Sequence, residues 1–146
     1  MSFNFRFKTL LKVRKIKENI AQQAFSQVQR HRLNIQNLKD LKVTTRNETI
    51  RELTSRMKSG ISALRMRQYH EYITFLEDSI KQLDKNLASV DKQLDMRRLE
   101  MLKAKKEHKA IERLKELDEK DYTIKQRKAE MRFIDEIAIL RHGENL

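Results

Sequence analysis

The sequence contains no proline, and its 146 residues include only two glycines, Gly60 and Gly143. Tight turns draw heavily on these two residue types. A chain with so few of them has few places at which it can reverse direction, so the sequence predicts long helices rather than a domain rich in turns. Gly60 lies well inside the chain, and a glycine just past a helix end supplies a left-handed cap, so we expect the reversal there.

Apolar residues recur at steps of three and four on both sides of Gly60, which indicates amphipathic helices. The steps are strictest from Leu76 to Leu94, where they are typical of the seam of a left-handed coiled coil. Near Ile111 the apolar series changes phase, which predicts a local change of winding or the end of pairing. The predicted seam comprises Leu10, Val13, Ile16, Ile20, Ala24, Val28, His31, Ile35, Leu38, Ile50, Leu53 and Met57, then Tyr69, Ile73, Leu76, Ile80, Leu83, Leu87, Val90, Leu94, Arg97, Met101, Ala104, His108 and Ile111.

These patterns predict an all-α fold, a single domain over residues 1–146 in which two long helices form an antiparallel coiled-coil hairpin. We expect a first helix at about residues 5–58, a turn at about 59–63 and a longer second helix at about 64–140. With the reversal near residue 61, facing residues have numbers that sum to about 122, as Ile35 and Leu87 do.

The second helix is then predicted to extend beyond the first by about 20 residues, at about 1.5 Å per residue. This overhang, Asp118 to Arg141, keeps apolar side chains that the hairpin leaves uncovered. An amphipathic helix with no internal partner implies an external one.

The net charge of +12 is concentrated near the N-terminus, where the first 17 residues carry six basic side chains and no acid. Such a field favours an acidic partner: nucleic acid, an anionic membrane or an acidic protein surface. Nucleic acid is disfavoured, because the basic residues alternate with seam residues and aromatics for base stacking are few. A basic amphipathic helix over residues 3–20 would suit a membrane surface. We expect Leu10 to Ile20 to pair with residues near 101–118 instead, whereas Phe3, Phe5 and Phe7 are left open.

Features of an enzyme are missing from the sequence. It has no cysteine, no phosphate-binding glycine loop and no nucleophile elbow. Its four histidines are scattered singly, and a two-helix hairpin offers no concave pocket for a small substrate. We therefore expect no catalytic residue, no metal site and no cofactor. No apolar run is long enough to span a membrane and no secretory signal is evident, so we expect a cytoplasmic protein.

Three segments carry a resemblance to a known family. They are FRFKTLLKVRKIKENIAQQAF near the N-terminus, SGISALRMRQYHEYITFLEDSI across the turn, and KAEMRFIDEIAI near the C-terminus. Outside the seam, the matching residues are Gly60, Tyr72, Glu77, Asp135 and Glu136. Over nearly its whole length the chain resembles the FliJ family, small coiled-coil proteins of the bacterial flagellar type III export apparatus.

The resemblance implies a stalk whose open end enters the ring of the flagellar export ATPase and promotes the assembly and activity of that ring. It also implies binding to the cytoplasmic domain of the export gate and to substrate-chaperone complexes. The expected location is the cytoplasmic face of the inner membrane, with the membrane touched only through partners and no nucleic acid bound. The expected ATPase-binding residues are Arg6, Lys8, Arg14, Lys15, Ile124, Met131, Phe133 and Ile134, and the expected gate-binding residues are Tyr72, Leu76, Ser79 and Leu83.

Two other interpretations stay open. One is the related stalk protein of a virulence type III secretion system, which belongs to the same mechanistic class. The other is a basic coiled-coil tether on nucleic acid or membrane, whose binding would survive only at low salt.

Overall fold

The computed structural model describes residues 2–144, and in that range the chain forms two α-helices and no strand. Helix α1 spans Lys8–Ser59 and helix α2 spans Ala63–Glu144. The predicted all-α fold with a longer second helix is therefore confirmed. The helix ends lie a few residues from the predicted ones.

Gly60 lies between the helices with φ at +91°, a conformation that glycine adopts without steric cost. Ser62 follows, and its Oγ accepts a hydrogen bond of 3.2 Å from the backbone N–H of Arg65. This bond satisfies one of the donors left free at the start of a helix. The glycine and the serine thus define where α1 ends and α2 begins.

The chain divides into two compact units. The turn unit is Ala21–Met101, and the terminal unit combines Met1–Ile20 with Leu102–Leu146. In the turn unit the helices run antiparallel, as shown by three interhelical contacts: Arg32 with Asp91, Lys39 with Asp84, and Glu52 with Tyr69. The numbers of these partners sum to 121–123, in agreement with the predicted register.

An apolar core lies between the helices of the turn unit. Ile35 packs with Leu83, Leu87 and Val90, and half-buried Val28 packs against this group. The other buried apolar side chains of the unit are Leu53, Ile73, Leu76 and Ile80. The predicted seam of α2 is therefore correct from Ile73 to Val90.

The predicted seam of α1 is partly wrong in the turn unit. His31, Leu38 and Ile50 are exposed, as is Met57, whereas Thr49 is buried and donates a hydrogen bond from Oγ1 to the carbonyl of Thr45. The heptad that starts at Val28 and Ile35 continues in steps of seven to residues 42 and 49, although both are polar. Leu38 and Ile50 fall beside these inward positions, because a coiled coil keeps its 3.5-residue repeat across polar positions.

In the terminal unit polar side chains lie at inward positions beside half-buried apolar ones such as Leu10 and Ile111. Arg14 pairs with Glu107, with 2.7 Å between Nη1 and Oε2. Glu18 Oε2 lies 2.6 Å from Nδ1 of His108, which is buried as the seam prediction expected. The predicted pairing of Val13, Ile16 and Ile20 with α2 is wrong, because these three side chains are exposed.

The N-terminal arm, residues 2–7, extends the cover over α2. Phe5 is buried, and the ring of Phe3 lies 5.5 Å from that of Tyr122. Residues 6 and 7 form a turn, in which the backbone N–H of Lys8 donates a hydrogen bond of 3.4 Å to the carbonyl of Phe5, and residues 2–5 continue beyond the start of α1. The uncovered part of α2 therefore begins after Tyr122 rather than at Asp118. Inward positions also continue from Ile111 through half-buried Asp118 to Tyr122, so the predicted change of phase does not interrupt the packing.

Candidate protein-binding surfaces

The exposed tail is the part of α2 at residues 123–144. It is a regular helix, and nearly all of its side chains are exposed, with Ile137 half-buried. Its large exposed apolar residues are Ile124, Met131, Phe133, Ile134, Ile139 and Leu140. Proteins rarely expose such a group of apolar side chains unless another molecule covers it, so the tail is a candidate binding surface. The four apolar residues expected to bind the ATPase all lie here.

The four basic residues expected to bind the ATPase are in different environments. Arg6 lies with Tyr122 and Lys125 around a shallow depression at the start of the exposed tail. Lys8 is exposed, at the first residue of α1. Arg14 is half-buried in its ion pair with Glu107, and Lys15 is exposed with Nζ 4.0 Å from Glu18. Arg6 and Lys8 are therefore open to a partner, whereas Arg14 already serves the packing of the two helices.

The four residues expected to bind the export gate divide into two pairs. Tyr72 is exposed and Ser79 is half-buried on α2 of the turn unit. Leu76 and Leu83 are only 4% and 9% exposed and belong to the core. A partner that docks on the intact turn unit can reach the first pair but not the second.

Aromatic and basic side chains surround Tyr72 and Ser79. Phe75 is exposed, and Lys42 Nζ lies 5.6 Å from the centre of its ring. Tyr69 donates a hydrogen bond of 3.0 Å to Glu52. Partial burial and this bond raise the pKa of the Tyr69 hydroxyl above its ordinary value. Exposed aromatic rings are frequent anchors in protein interfaces, which makes this side of the turn unit a second candidate surface.

A third exposed surface was missed by the seam analysis. Val13, Ile16 and Ile20 form what we call the outward stripe, on the side of α1 that faces away from α2. The sequence feature that could have revealed this surface is the absence of any acidic residue before Glu18. An ordinary solvent-exposed helix face would be expected to carry acidic residues as well as basic ones. Leu140 in the exposed tail was also missed, because it follows the last regular apolar step of α2.

Residues 2–144 lack two further features, a membrane-spanning helix and a cluster of metal ligands. Between residues 2 and 144, no helix combines the length and apolar character that a membrane crossing requires. In the same range, no group of three or more histidine, aspartate or glutamate side chains is placed to hold a metal ion.

Comparison with known proteins gives one family and two similar chains. Residues 3–146 match the family model described as "Flagellar FliJ protein". A "Flagellar FliJ protein" from Bacillus subtilis (strain 168) is 26% identical over 144 residues, which cover 95% of each chain. Among solved structures, a protein described as a YscO homolog, CT670, from Chlamydia trachomatis has a TM-score of 0.57 at 17% identity, with 97% of this chain and 96% of that one covered. The last likeness concerns the fold alone.

Proposed function

The chain belongs to the FliJ family of flagellar proteins, and from this premise we propose that it is a stalk-like component of the flagellar type III export apparatus that acts by binding other proteins. Its principal partner is the export ATPase ring, whose assembly and activity it promotes. It also links the ring to the export gate and to substrate-chaperone complexes at the cytoplasmic face of the membrane.

The observation that carries this proposal is the exposed tail. A helix continues through residues 123–144 with six large apolar side chains open to solvent. Covering two of them, such as Phe133 and Ile134, would contribute about 1.5–3 kcal/mol each if burial were complete. A ring-shaped partner with an apolar lining would supply that cover. Arg6 and Lys8 lie where the covered part of α2 ends, so they would contribute charge at the mouth of such a ring.

The test is the rate of ATP hydrolysis by the cognate export ATPase with and without the full chain at moderate salt. We expect the rate to rise. A chain that ends after Thr123 should keep its helical hairpin, because the contact between Phe3 and Tyr122 is retained, and should no longer raise the rate. No rise with a competent ATPase would contradict the proposal.

Point variants separate the tail from a general loss of structure. The double variant Phe133→Ser/Ile134→Ser should lower the apparent affinity for the ATPase by more than about tenfold, since two apolar contacts are removed. Its matched control is Leu41→Ser/Leu99→Ser, two similarly exposed residues of the turn unit, which should stimulate hydrolysis as the natural chain does. Equal loss in both variants would remove the tail from the proposal.

The contribution of the basic residues to ATPase binding is tested better by substitutions at Arg6 and Lys8 than by substitution at Arg14. Charge reversal at Arg14 would break its ion pair with Glu107 and disturb the helix packing. Arg6→Glu/Lys8→Glu leaves that pair intact. We expect it to weaken ATPase binding and to make the remaining binding less sensitive to salt.

Gate binding is proposed for the exposed side of the turn unit around Tyr72. Tyr72→Ala should weaken binding to the purified cytoplasmic domain of the gate while ATPase stimulation is unchanged. Leu76→Ala is unsuitable for the same purpose, because Leu76 is buried and its loss would destabilise the helix pair. Unchanged gate binding by Tyr72→Ala would remove Tyr72 from the proposed surface.

A further inference from the structure

The outward stripe on α1 has no partner in the described chain. Ile16 and Ile20 are 56% and 60% exposed, and Val13 is also exposed. At about 100° per residue, positions 13, 16 and 20 fall within one narrow sector of the helix, opposite the inward-facing Arg14 and Glu18. The stripe therefore covers two turns on the side of α1 that faces away from α2.

Lysines border this stripe on both sides. Lys12 lies along one edge and Lys17 along the other, and both are exposed. The one acidic residue of this stretch, Glu18, is turned inward toward His108, with its side chain 14% exposed. The outer face from Lys8 to Ile20 is thus apolar along its centre, basic along its edges and free of acid.

We propose that this face is a contact site for an anionic lipid surface, on which α1 lies parallel to the membrane plane. An interfacial helix has apolar side chains at its centre and lysines whose aliphatic stems lie along the acyl boundary while their ammonium groups meet the headgroups. Each lysine near an anionic leaflet contributes electrostatic attraction that fades within a Debye length.

The size and shape of the stripe favour lipid over protein or nucleic acid. A stable protein interface buries about 800 Å² on each side around an apolar centre, which three aliphatic side chains on a convex helix do not provide. Phosphate contacts with nucleic acid would gain nothing from Val13, Ile16 and Ile20. A weak contact with a deformable lipid surface uses both the apolar centre and the basic edges, and would hold the chain near the membrane without a spanning helix.

The experiment is cosedimentation of the full chain with phosphatidylcholine vesicles that contain or lack phosphatidylglycerol. We expect binding to the anionic vesicles alone, with a steep loss as salt is raised. Ile16→Ser/Ile20→Ser should lower the vesicle affinity about tenfold. The matched control is Leu33→Ser/Leu41→Ser, which replaces residues of α1 with 58% and 63% exposure and should bind as the natural chain does.

A second variant, Lys12→Gln/Lys17→Gln, should reduce binding and its salt dependence while the helix content by circular dichroism stays unchanged. Equal binding to neutral vesicles, no binding at all, or equal loss in the stripe and control variants would overturn the proposal. It would also be overturned if the stripe variant lost ATPase stimulation while the natural chain ignored vesicles, because the face would then serve an acidic protein. ATPase stimulation that survives in the stripe variant keeps this inference separate from the proposed function.

Discussion

The turn unit and the terminal unit use the same two helices but stabilise them in different ways. In the turn unit, Leu83, Leu87 and Val90 of α2 close over Ile35 of α1. In the terminal unit, Arg14 pairs with Glu107 and Glu18 with His108, beside half-buried apolar residues such as Leu10 and Ile111. Inward positions of a helix pair can therefore be filled by polar side chains that meet a partner on the opposite helix. The apolar residues displaced from the pairing then become surface for partners.

A substitution in the apolar core of the turn unit should lower stability more than any other substitution proposed for the two units. Leu87→Ala removes a buried side chain from the core of the turn unit and should lower the free energy of unfolding by about 3 kcal/mol, since it loses burial and leaves a cavity. Urea unfolding followed by circular dichroism measures this value. Leu99→Ala, at an exposed position of α2, is the control and should change stability by less than about 0.5 kcal/mol. Similar values for the two variants would contradict the assigned core.

The polar pair of Glu18 and His108 in the terminal unit is tested by substitutions at these two residues. His108→Ala should cost about 1–3 kcal/mol, because the buried Glu18 carboxylate loses the group beside it. The double variant Glu18→Leu/His108→Leu should be at least as stable as the natural chain, since a buried polar pair can be replaced by apolar side chains without loss. Thermal unfolding of both variants measures the difference. A double variant less stable than His108→Ala would show that the pair itself stabilises the terminal unit.

The smallest effects concern single ion pairs in the two units. Arg14→Gln should lower the free energy of unfolding by at most about 1 kcal/mol, and Arg32→Gln by less, because the Arg32–Asp91 pair is more exposed than the Arg14–Glu107 pair. Urea unfolding at low and high salt measures both. High salt should remove most of the difference between each variant and the natural chain. A larger loss of stability from Arg32→Gln than from Arg14→Gln would contradict the expected order of the two ion pairs.

The sequence predicted α2 better than α1, for a physical reason. From Ile73 to Val90 every inward position of α2 is apolar, so the three-four steps and the buried face coincide. On α1, the apolar steps at Val13, Ile16 and Ile20 are as regular as those of a seam, yet they face solvent. Their inward neighbours Arg14 and Glu18 find partners on α2 at Glu107 and His108. Such pairing becomes visible only when both helices are placed.

The predicted binding residues also divide into exposed and buried ones. Arg6 and Phe133, near the two ends of the chain, are exposed. The exposure of Phe133 was predictable, because the position of Gly60 showed that the second helix is longer than the first. Those carried over to the turn unit include Leu76 and Leu83, which belong to the core. Resemblance transfers a position but not its orientation, and in a coiled coil one residue of difference turns a side chain by about 100°.

The exposed tail should show a characteristic pattern of amide hydrogen exchange. As an isolated peptide, residues 123–144 would have to form a first helical turn, which is costly to nucleate, without tertiary packing to stabilise it. Here the nucleus is supplied by the paired part of α2, and the tail grows from it one residue at a time. Its amide protons should therefore exchange with solvent progressively faster toward Glu144, along a gradient set by fraying. A molecule that covers Phe133 and Ile134 would slow amide exchange around these residues and reduce the difference in rate along the tail. The exchange rates of the tail therefore report whether a partner is bound.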